Sequence, residues 1–436
     1  IIILHITTVD INWNLKQKSN DQIQMSLGWG QMGALLQLGL KLNNFSIANL
    51  LKKNKDHKGF LPIGDGETMS LNAQTNGKYY QSYGLQYATN WFGGKRPIQF
   101  TLGANFSKST DLNSSYYNRS YMENYYNYMY GVGNYNYNNY ENYLDPDKYI
   151  QIWGFYAGWG KRLRWPDDYF QLSLQLSYQR YILKNWRYFF VMSNGTANNL
   201  SLNITLNRSS TDNQLYPRTG SEFSASLSIT PPWSKFDKKD YKHLANDRFS
   251  ATYQEEQQEK YRWVEYHKWK FKARTFTALN NGNKCFVLMT RIEFGLLGSY
   301  NKYKKSPFET FYMGGDGMSG YSSNYAQETI GLRGYENGQL TQHGEGYAYE
   351  RMTLELRYPF LLGNTTIYGL GFVEAGNAWT ETSKFNPFDV KRSAGIGVRI
   401  FLPMVGMMGI DWAYGFDKVF GKRGGSQFHF ILGQEF

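Results

Sequence analysis

The amino-acid sequence predicts an all-β fold, a single 16-stranded antiparallel transmembrane β-barrel, and three observations lead to this prediction. Apolar and polar residues alternate over many segments, as they do where one face of a strand meets lipid and the other a wet lumen. Aromatic residues make up 18% of the 436 residues and include 37 Tyr and 12 Trp, which aromatic girdles at two membrane interfaces would use. The most apolar stretch, 400–410, is far shorter than the roughly 20 residues of a membrane-spanning helix.

The alternation is clearest in five segments, at 23–29, 98–107, 172–179, 200–207 and 223–229. In the second of them, IQFTLGANFS, every apolar side chain stands at an even position and every polar residue or glycine at an odd one. A soluble β-sandwich or propeller would also alternate, but its apolar face points inward, which leaves the abundant aromatic residues without a role. The pattern therefore favours a barrel whose apolar face meets lipid.

Counting all such segments gives sixteen predicted strands. An even count suits a closed bacterial barrel, because both chain ends then lie on the periplasmic side and no strand edge is left unpaired in lipid. The predicted strands are 22–30, 33–42, 67–77, 80–92, 97–108, 149–161, 169–181, 197–208, 220–230, 266–280, 285–298, 349–360, 365–376, 390–402, 405–416 and 427–436.

The connections support the same topology, since short ones alternate with long ones as periplasmic turns do with extracellular loops. One connection disagrees, because 43–66 is long and is predicted to be periplasmic. The short predicted turns are 162–168, 281–284, 361–364 and 403–404, and the long predicted loops are 109–148, 231–265 and 299–348.

Composition argues against several other classes of protein. The single cysteine, Cys285, cannot form an intrachain disulfide, and the six His are scattered, so no zinc-type metal site is predicted. The net charge of +12 is dispersed along the chain, without the basic stripe interleaved with aromatics that nucleic-acid binding uses. No Ser/His/Asp arrangement or phosphate-binding glycine loop is found, so we expect neither an enzyme nor a bound cofactor. The positive charge belongs in loops and lumen or meets anionic lipid head groups.

The last ten residues, 427–436, place Phe428, Phe430, Leu432 and Phe436 on one face of the final predicted strand. Outer-membrane barrels resemble each other in this ending with a terminal aromatic residue. Phe436 would anchor the strand at the membrane interface, and the same ending would serve as the signal by which the barrel is itself assembled. The two interpretations are compatible, and both predict the bacterial outer membrane as the location.

Five short motifs follow one another along the chain, and their order and spacing together are more specific than any one of them. They are YPRTG at 216–220, FETFYMGG at 308–315, LRGY at 332–335, LEL at 354–356 and FVEAGNAW at 372–379. Together they resemble the BamA superfamily of outer-membrane assembly and transport barrels. The resemblance covers essentially 21–436 and implies a barrel of sixteen strands with a long sixth extracellular loop that folds back into the lumen.

The resemblance also implies a domain boundary. Residues 9–16 alternate between apolar and polar, which is similar to the final strand of a periplasmic POTRA domain. We therefore expect 1–20 to be the end of the last POTRA domain and 21–436 to be the barrel. Further POTRA domains would precede the first residue.

The motif of the sixth loop is the first candidate site. A guanidinium that is buried in a lumen has five donors and a permanent charge, and both demand carboxylate partners. Glu355 and Glu374 alternate with apolar neighbours and should point into the lumen. The resemblance implies that Arg333 pairs with Glu374 and Glu355, with Phe372 packed nearby, in a conformational role. The alternative is an ordinary solvated loop residue. The motif residues are Leu332, Arg333, Gly334 and Tyr335.

A lateral gate between the first and last strands is the second candidate site. The resemblance implies an assembly factor, or insertase, that folds and inserts unfolded β-barrel clients, with accessory lipoproteins and outer-membrane lipids as partners. An exposed strand edge could template an incoming strand. Glycines in the gate would weaken pairing or make room for aromatic rings. The expected gate residues are Ile23, Gln24, Met25, Ser26, Leu27, Gly28 and Trp29 on the first strand, and Phe428, Phe430, Leu432, Gly433 and Phe436 on the last.

Two other functions stay open on the sequence. A two-partner secretion pore of the same family would export one dedicated partner through the lumen, and a passive porin would be a diffusion channel. The Tyr/Asn-rich segment 111–143 lies in a predicted extracellular loop. Stacked tyrosines could order this loop, or surface partners could dock on it, and biased composition identifies neither.

Overall fold

One sheet contains almost all of the regular structure in the computed structural model. Its sixteen strands follow each other antiparallel in chain order, and together they form the predicted transmembrane β-barrel, which is thereby confirmed. The structure describes residues 21–30, 33–47, 49, 66–77, 79–93, 97–112, 144–186, 192–247, 249–282, 284–315, 328–341, 345–402 and 406–432.

All sixteen predicted strands are present, and the two remaining strands belong to the sixth loop. The barrel strands are β1 Gln22–Gly30, β2 Gly33–Phe45, β3 Glu67–Thr75, β4 Tyr80–Thr89, β5 Ile98–Leu112, β6 Leu144–Arg162, β7 Phe170–Lys184, β8 Gly195–Ser209, β9 Gly220–Ile229, β10 His267–Ala278, β11 Val287–Gly298, β14 Ala348–Leu361, β15 Thr366–Trp379, β16 Lys391–Leu402, β17 Gly406–Val419 and β18 Lys422–Leu432.

Alternation along each strand separates a lipid-facing side from a lumen-facing side. In β14, Leu354 and Leu356 are exposed on the outer surface, whereas Thr353 and Glu355 between them are buried. The apolar side chains face lipid because the bilayer core solvates them and cannot solvate charges. The charged residues of β14 therefore point into the lumen, where they can pair.

The lumen wall has two chemically different parts. On β7 the lumen-facing residues are Ser or Gln at every second position from 173 to 179. On β9 the lumen-facing residues at 224, 226 and 228 are all Ser. From β10 onward the lumen side is charged, beginning with Lys268 and Lys270 and continuing with Arg291 on β11. The charged part is the wall on which the sixth loop packs.

The described residues of the sixth loop, 299–315, 328–341 and 345–347, pack against this charged wall and against β7. The loop contains β12 Phe311–Met313 and β13 Glu328–Ile330, which pair in parallel. Phe308 and Phe311 of the loop are fully buried in an apolar cluster that also contains Tyr181 of β7, whose ring stacks on Phe308 at 4.2 Å between centroids. The loop is thus held inside the barrel by apolar packing as well as by ion pairs with the wall.

The fifth loop, 230–266, contains two α-helices, α1 Trp233–Phe236 and α2 Tyr253–Tyr261. A short 3-10 helix, Thr382–Lys384, lies in the seventh loop. No helix in the described part of the chain is long and apolar enough to cross a membrane.

Several predicted strand ends were wrong. The last strand begins at Lys422, five residues before the predicted 427, because Phe420 and Gly421 form a two-residue turn with positive φ at both positions, which is the geometry that connects tight hairpins. The first half of this hairpin also contains a β-bulge after Gly415, which breaks the alternation. Residues 1–20, most of 111–143, Gly433 and Phe436 lie outside the described residues.

Candidate functional site

The tip of the sixth loop lies against β16, β17 and β18 in the lumen. Gly334 has a φ of +88°, which favours glycine over any residue with a side chain. A Cβ on Gly334 would lie 2.8 Å from the backbone nitrogen of Gly415 and 2.9 Å from the Cβ of Ser393. The tip therefore needs glycine both for its turn and for its close approach to the wall.

Arg333 is buried at the centre of three carboxylates. Its Nη2 donates to Glu374 Oε1 at 2.8 Å and to Glu355 Oε2 at 3.2 Å, and its Nη1 donates to Asp411 Oδ2 at 2.9 Å. The backbone N–H of Arg333 donates to Glu374 Oε2 at 2.9 Å. The guanidinium carbon lies 3.4 Å from the ring centre of Phe372. Burial opposes the charge, but Glu374, Glu355 and Asp411 hold the pKa of Arg333 well above its usual range, so the charge is permanent.

Each of these carboxylates also has an arginine that belongs to the wall. Arg351 donates to Glu374 at 2.8 Å, Arg357 donates to Glu355 at 2.6 Å, and Arg399 holds Asp411 with two bonds of 2.5 and 2.8 Å. If Arg333 leaves, every carboxylate keeps a cationic partner. Docking of the loop is therefore not required to neutralise the wall, which matters because a buried charge without a partner is strongly destabilising.

Two glycines of β16 make room for this cluster. A Cβ on Gly397 would lie 1.7 Å from Asp411 Oδ1, and a Cβ on Gly395 would lie 2.6 Å from the ring of Phe372. Any larger residue at these positions would displace the side chains that receive Arg333. The binding site for the guanidinium of Arg333 therefore requires glycine at 395 and 397 as well as the three carboxylates around it.

Tyr335 and His429 make further contacts at the tip. The hydroxyl of Tyr335 donates to the carbonyl oxygen of Arg392 at 2.8 Å, and burial raises the pKa of Tyr335 to about 12. The N–H of Gly334 donates to Nε2 of His429 at 2.9 Å. His429 is on β18, so one side chain of the last strand reaches the loop tip directly.

The sixth loop has a second ionic contact with the wall, of opposite polarity. Here the loop supplies the acid, since Glu328 on β13 lies 2.7 Å from Lys268 and 2.9 Å from Lys270, both on β10. The ammonium of Lys268 also lies 4.7 Å from the ring centre of Phe311. Burial alone would raise the pKa of Glu328, but the two lysines hold it at about 2. The loop is therefore attached to the wall at two points five residues apart in sequence, by its own cation Arg333 and by its own anion Glu328.

The tyrosine of YPRTG links the turn before β9 to two other segments on the periplasmic side. The hydroxyl of Tyr216 donates to the carbonyl oxygens of Cys285 at 3.0 Å and Arg357 at 3.2 Å. Its ring lies 5.3 Å from that of Tyr368. Tyr216 therefore bridges the turn before β9 to the start of β11 and the end of β14.

The predicted gate strands are the two ends of the sheet order. On β1, Ile23 is 80% exposed and Met25 is 60% exposed; on β18, Phe428 is 68% exposed and Phe430 is 52% exposed, so these side chains face lipid. The backbones of Gln24, Ser26, Leu27, Gly28 and Trp29 pair with β2, and Leu432 pairs with Met408 of β17.

Sequence reasoning missed several residues of the site. Asp411, Arg399 and Arg351 were not predicted as members of the Arg333 cluster, and His429 was not predicted to touch the tip. The signal was available for Asp411, which is a carboxylate between the lipid-facing residues Ile410 and Trp412 in a strand. Within the described part of the chain, no group of His, Cys, Asp and Glu could hold a metal ion.

The fold and this site define an outer-membrane β-barrel whose sixth loop is anchored inside its lumen. Comparison with protein families gives the same class. The model of the Omp85 superfamily domain matches residues 63–436, and the chain belongs to this superfamily. A comparison with curated proteins finds no match.

Solved structures with the same fold include the following two proteins. BamA from Haemophilus ducreyi lacking POTRA domains 1–3 superposes with a TM-score of 0.59 at 16% identity, over 95% of this chain and 70% of that one. CdiB from Escherichia coli superposes with a TM-score of 0.53 at 10% identity, over 95% of this chain and 67% of that one. The BamA-like fold is therefore shown, and the choice between subfamilies has to come from the site.

Proposed function

We propose that this Omp85 protein is an assembly factor of the BamA kind, an insertase that folds β-barrel proteins into the outer membrane. The observation that carries the proposal is the docking of the loop tip on the wall that ends at β18. Arg333 binds acids on β14, β15 and β17, and Gly334 binds His429 on β18. A loop that is fixed in this way can control the last strand from inside the barrel.

The proposed mechanism needs main-chain pairing and no covalent chemistry. When the seam between β1 and β18 opens, the edge of Gln22–Gly30 presents unpaired N–H and C=O groups to an incoming strand. Lipid-facing Ile23, Met25, Phe428 and Phe430 border this seam and would meet the apolar face of the client. The client strand thereby gains its hydrogen bonds before it is surrounded by lipid, where each unsatisfied group would be costly.

The partners of this activity are unfolded outer-membrane β-barrel clients, accessory assembly lipoproteins and the lipids around the gate. Surface partners on the long extracellular loops belong to the same proposal. No nucleic acid, metal or cofactor has a part in it.

A two-partner secretion pore of the same superfamily is the second candidate, and the similar TM-scores for BamA and CdiB support keeping it. A passive porin is disfavoured, because Phe308, Phe311 and Leu332 of the sixth loop are buried within the barrel by contacts that an open channel would lack.

Depletion of the protein in its native host tests the proposal. We expect several unrelated barrel proteins to disappear from the outer membrane together, with growth arrest. Loss of one secreted partner only would favour the secretion pore, and loss of none would favour the porin. A disulfide engineered between β1 and β18 is expected to block growth until it is reduced, and unimpaired growth with the disulfide formed would contradict the gate.

A further inference from the structure

We propose that His429 is a positioning residue that fastens the last strand to the tip of the sixth loop. The loop tip then sets where the free edge of β18 lies, in addition to any pairing with β1. This inference deepens the proposed lateral gate and rests on it. His429 acts through the loop tip and does not itself touch a client.

Two contacts on β18 carry the inference. The N–H of Gly334 donates to Nε2 of the buried His429 at 2.9 Å. Further along the strand, a Cβ on Gly424 would lie 2.4 Å from the carbonyl oxygen of Gly334 and 2.8 Å from the ring of Tyr335. One residue of the loop therefore contacts β18 with both its amide and its carbonyl, and it does so at two points five residues apart.

The ladder between β17 and β18 is interrupted next to the position of Gly334. Its register runs from Met408↔Leu432 to Gly415↔Gly425, then shifts, and resumes at Lys418↔Arg423. A Cβ on Gly415 would lie 2.3 Å from the carbonyl oxygen of Gly334, so the tip packs against the bulge itself. A bulge interrupts pairing and lets a strand bend. The carbonyl group of Gly334 therefore packs against β18 beside an interruption in its pairing with β17.

The chemistry of the imidazole makes this contact specific. Nε2 can accept a hydrogen bond only while it carries no proton. If the acceptor is removed, the N–H of Gly334 is left buried without a partner, which costs the desolvation of that group. Replacement by a ring of similar size without an acceptor should therefore loosen the tip and β18 together.

Hydrogen exchange on the purified protein in lipid nanodiscs tests this. In His429→Phe we expect amides in 331–336 and in 425–432 to exchange about tenfold faster, as for loss of one buried hydrogen bond. In His429→Gln, whose amide oxygen can accept from Gly334, we expect both segments to return to within about twofold of wild type. Ile431→Val, at another buried position of β18, is the matched control and should change neither segment.

Faster exchange of the tip alone, with β18 unchanged in His429→Phe, would overturn the inference, as would equal effects of the Phe and Gln variants. Should His429→Phe not fold, Gly424→Ala provides the same comparison, because its methyl group would push the carbonyl of Gly334 away from β18. No client is present in this measurement. A normal set of outer-membrane barrels after depletion would therefore refute the proposed function and leave the exchange result standing.

Discussion

Removal of the guanidinium of Arg333 should release the sixth loop from the barrel wall while the wall itself stays folded. In Arg333→Ala, three side-chain hydrogen bonds to Asp411, Glu374 and Glu355 are lost, together with the contact to Phe372. Breaking a buried ion pair costs about 3–5 kcal/mol, most of it from the charge that is left alone.

The lower end of that range applies here, because each of the three carboxylates keeps a bond to Arg351, Arg357 or Arg399. A loss of about 3 kcal/mol corresponds to roughly a hundredfold change in the ratio of docked to undocked loop. Local opening is read directly by hydrogen exchange. We expect amides of 331–336 to exchange about a hundredfold faster in the variant, after correction for the changed sequence, while β14 and β15 stay protected.

Arg208→Ala is the matched control, since Arg208 forms an ion pair with Asp167 at the periplasmic end of β8, far along the sheet from the loop tip. This variant should leave exchange of the tip unchanged. An increase below about fivefold at the tip in Arg333→Ala would refute the reasoning, because it would mean that apolar packing alone holds the loop. Loss of protection throughout β14 and β15 would refute the claim that the wall is neutral by itself.

Three further predictions concern other contacts of the loop and the barrel. Gly334→Ala should weaken tip docking by about 1–3 kcal/mol, because it combines strain at positive φ with a clash against β17, and exchange of 331–336 measures this. The pKa of Glu328 lies at about 2 beside Lys268 and Lys270, below the ordinary value of an unpaired carboxyl, so the contact of Glu328 with these lysines should be fully formed above about pH 4.5 and be lost as the pH falls toward 2. Exchange of 328–332 followed against pH should show this loss in the wild type and not in Glu328→Gln. Tyr216→Phe should lower the stability of the barrel by about 1–2 kcal/mol, since the carbonyl of Cys285 loses a buried donor, and unfolding in urea, with Tyr169→Phe at an exposed turn as the control, measures the difference.

The sequence predicted the barrel, and its alternation placed Glu355 and Glu374 on the lumen side, which are two of the three carboxylates that contact Arg333 in the structure. Glu355 and Glu374 alternate with apolar neighbours and therefore occupy lumen-facing positions of their strands. This alternation is local, so it can be read from the sequence. Asp411 also occupies a lumen-facing position, but its distance from Glu374 depends on how far β17 is shifted along the sheet relative to β15. This shift is set by the whole sheet, so the third acid was not predicted.

Other features depend on contacts that leave no pattern in the sequence. The strands β12 and β13 are three residues each, too short for alternation to be read. The start of β18 was wrong because a turn at Phe420 and Gly421 and a bulge after Gly415 interrupt the period. His429 could not be distinguished from the other polar residues of the last strand, because the sequence does not indicate which strands the sixth loop contacts.

The pairing of each wall carboxylate with its own arginine has a consequence for the order in which this protein assembles itself. Arg351, Arg357 and Arg399 can meet Glu374, Glu355 and Asp411 as soon as their strands align. The hairpins can therefore fold and enter the membrane while the sixth loop is still in the aqueous phase. The sixth loop can thread into a finished barrel as the last event of folding, and its insertion can be timed separately from that of the strands.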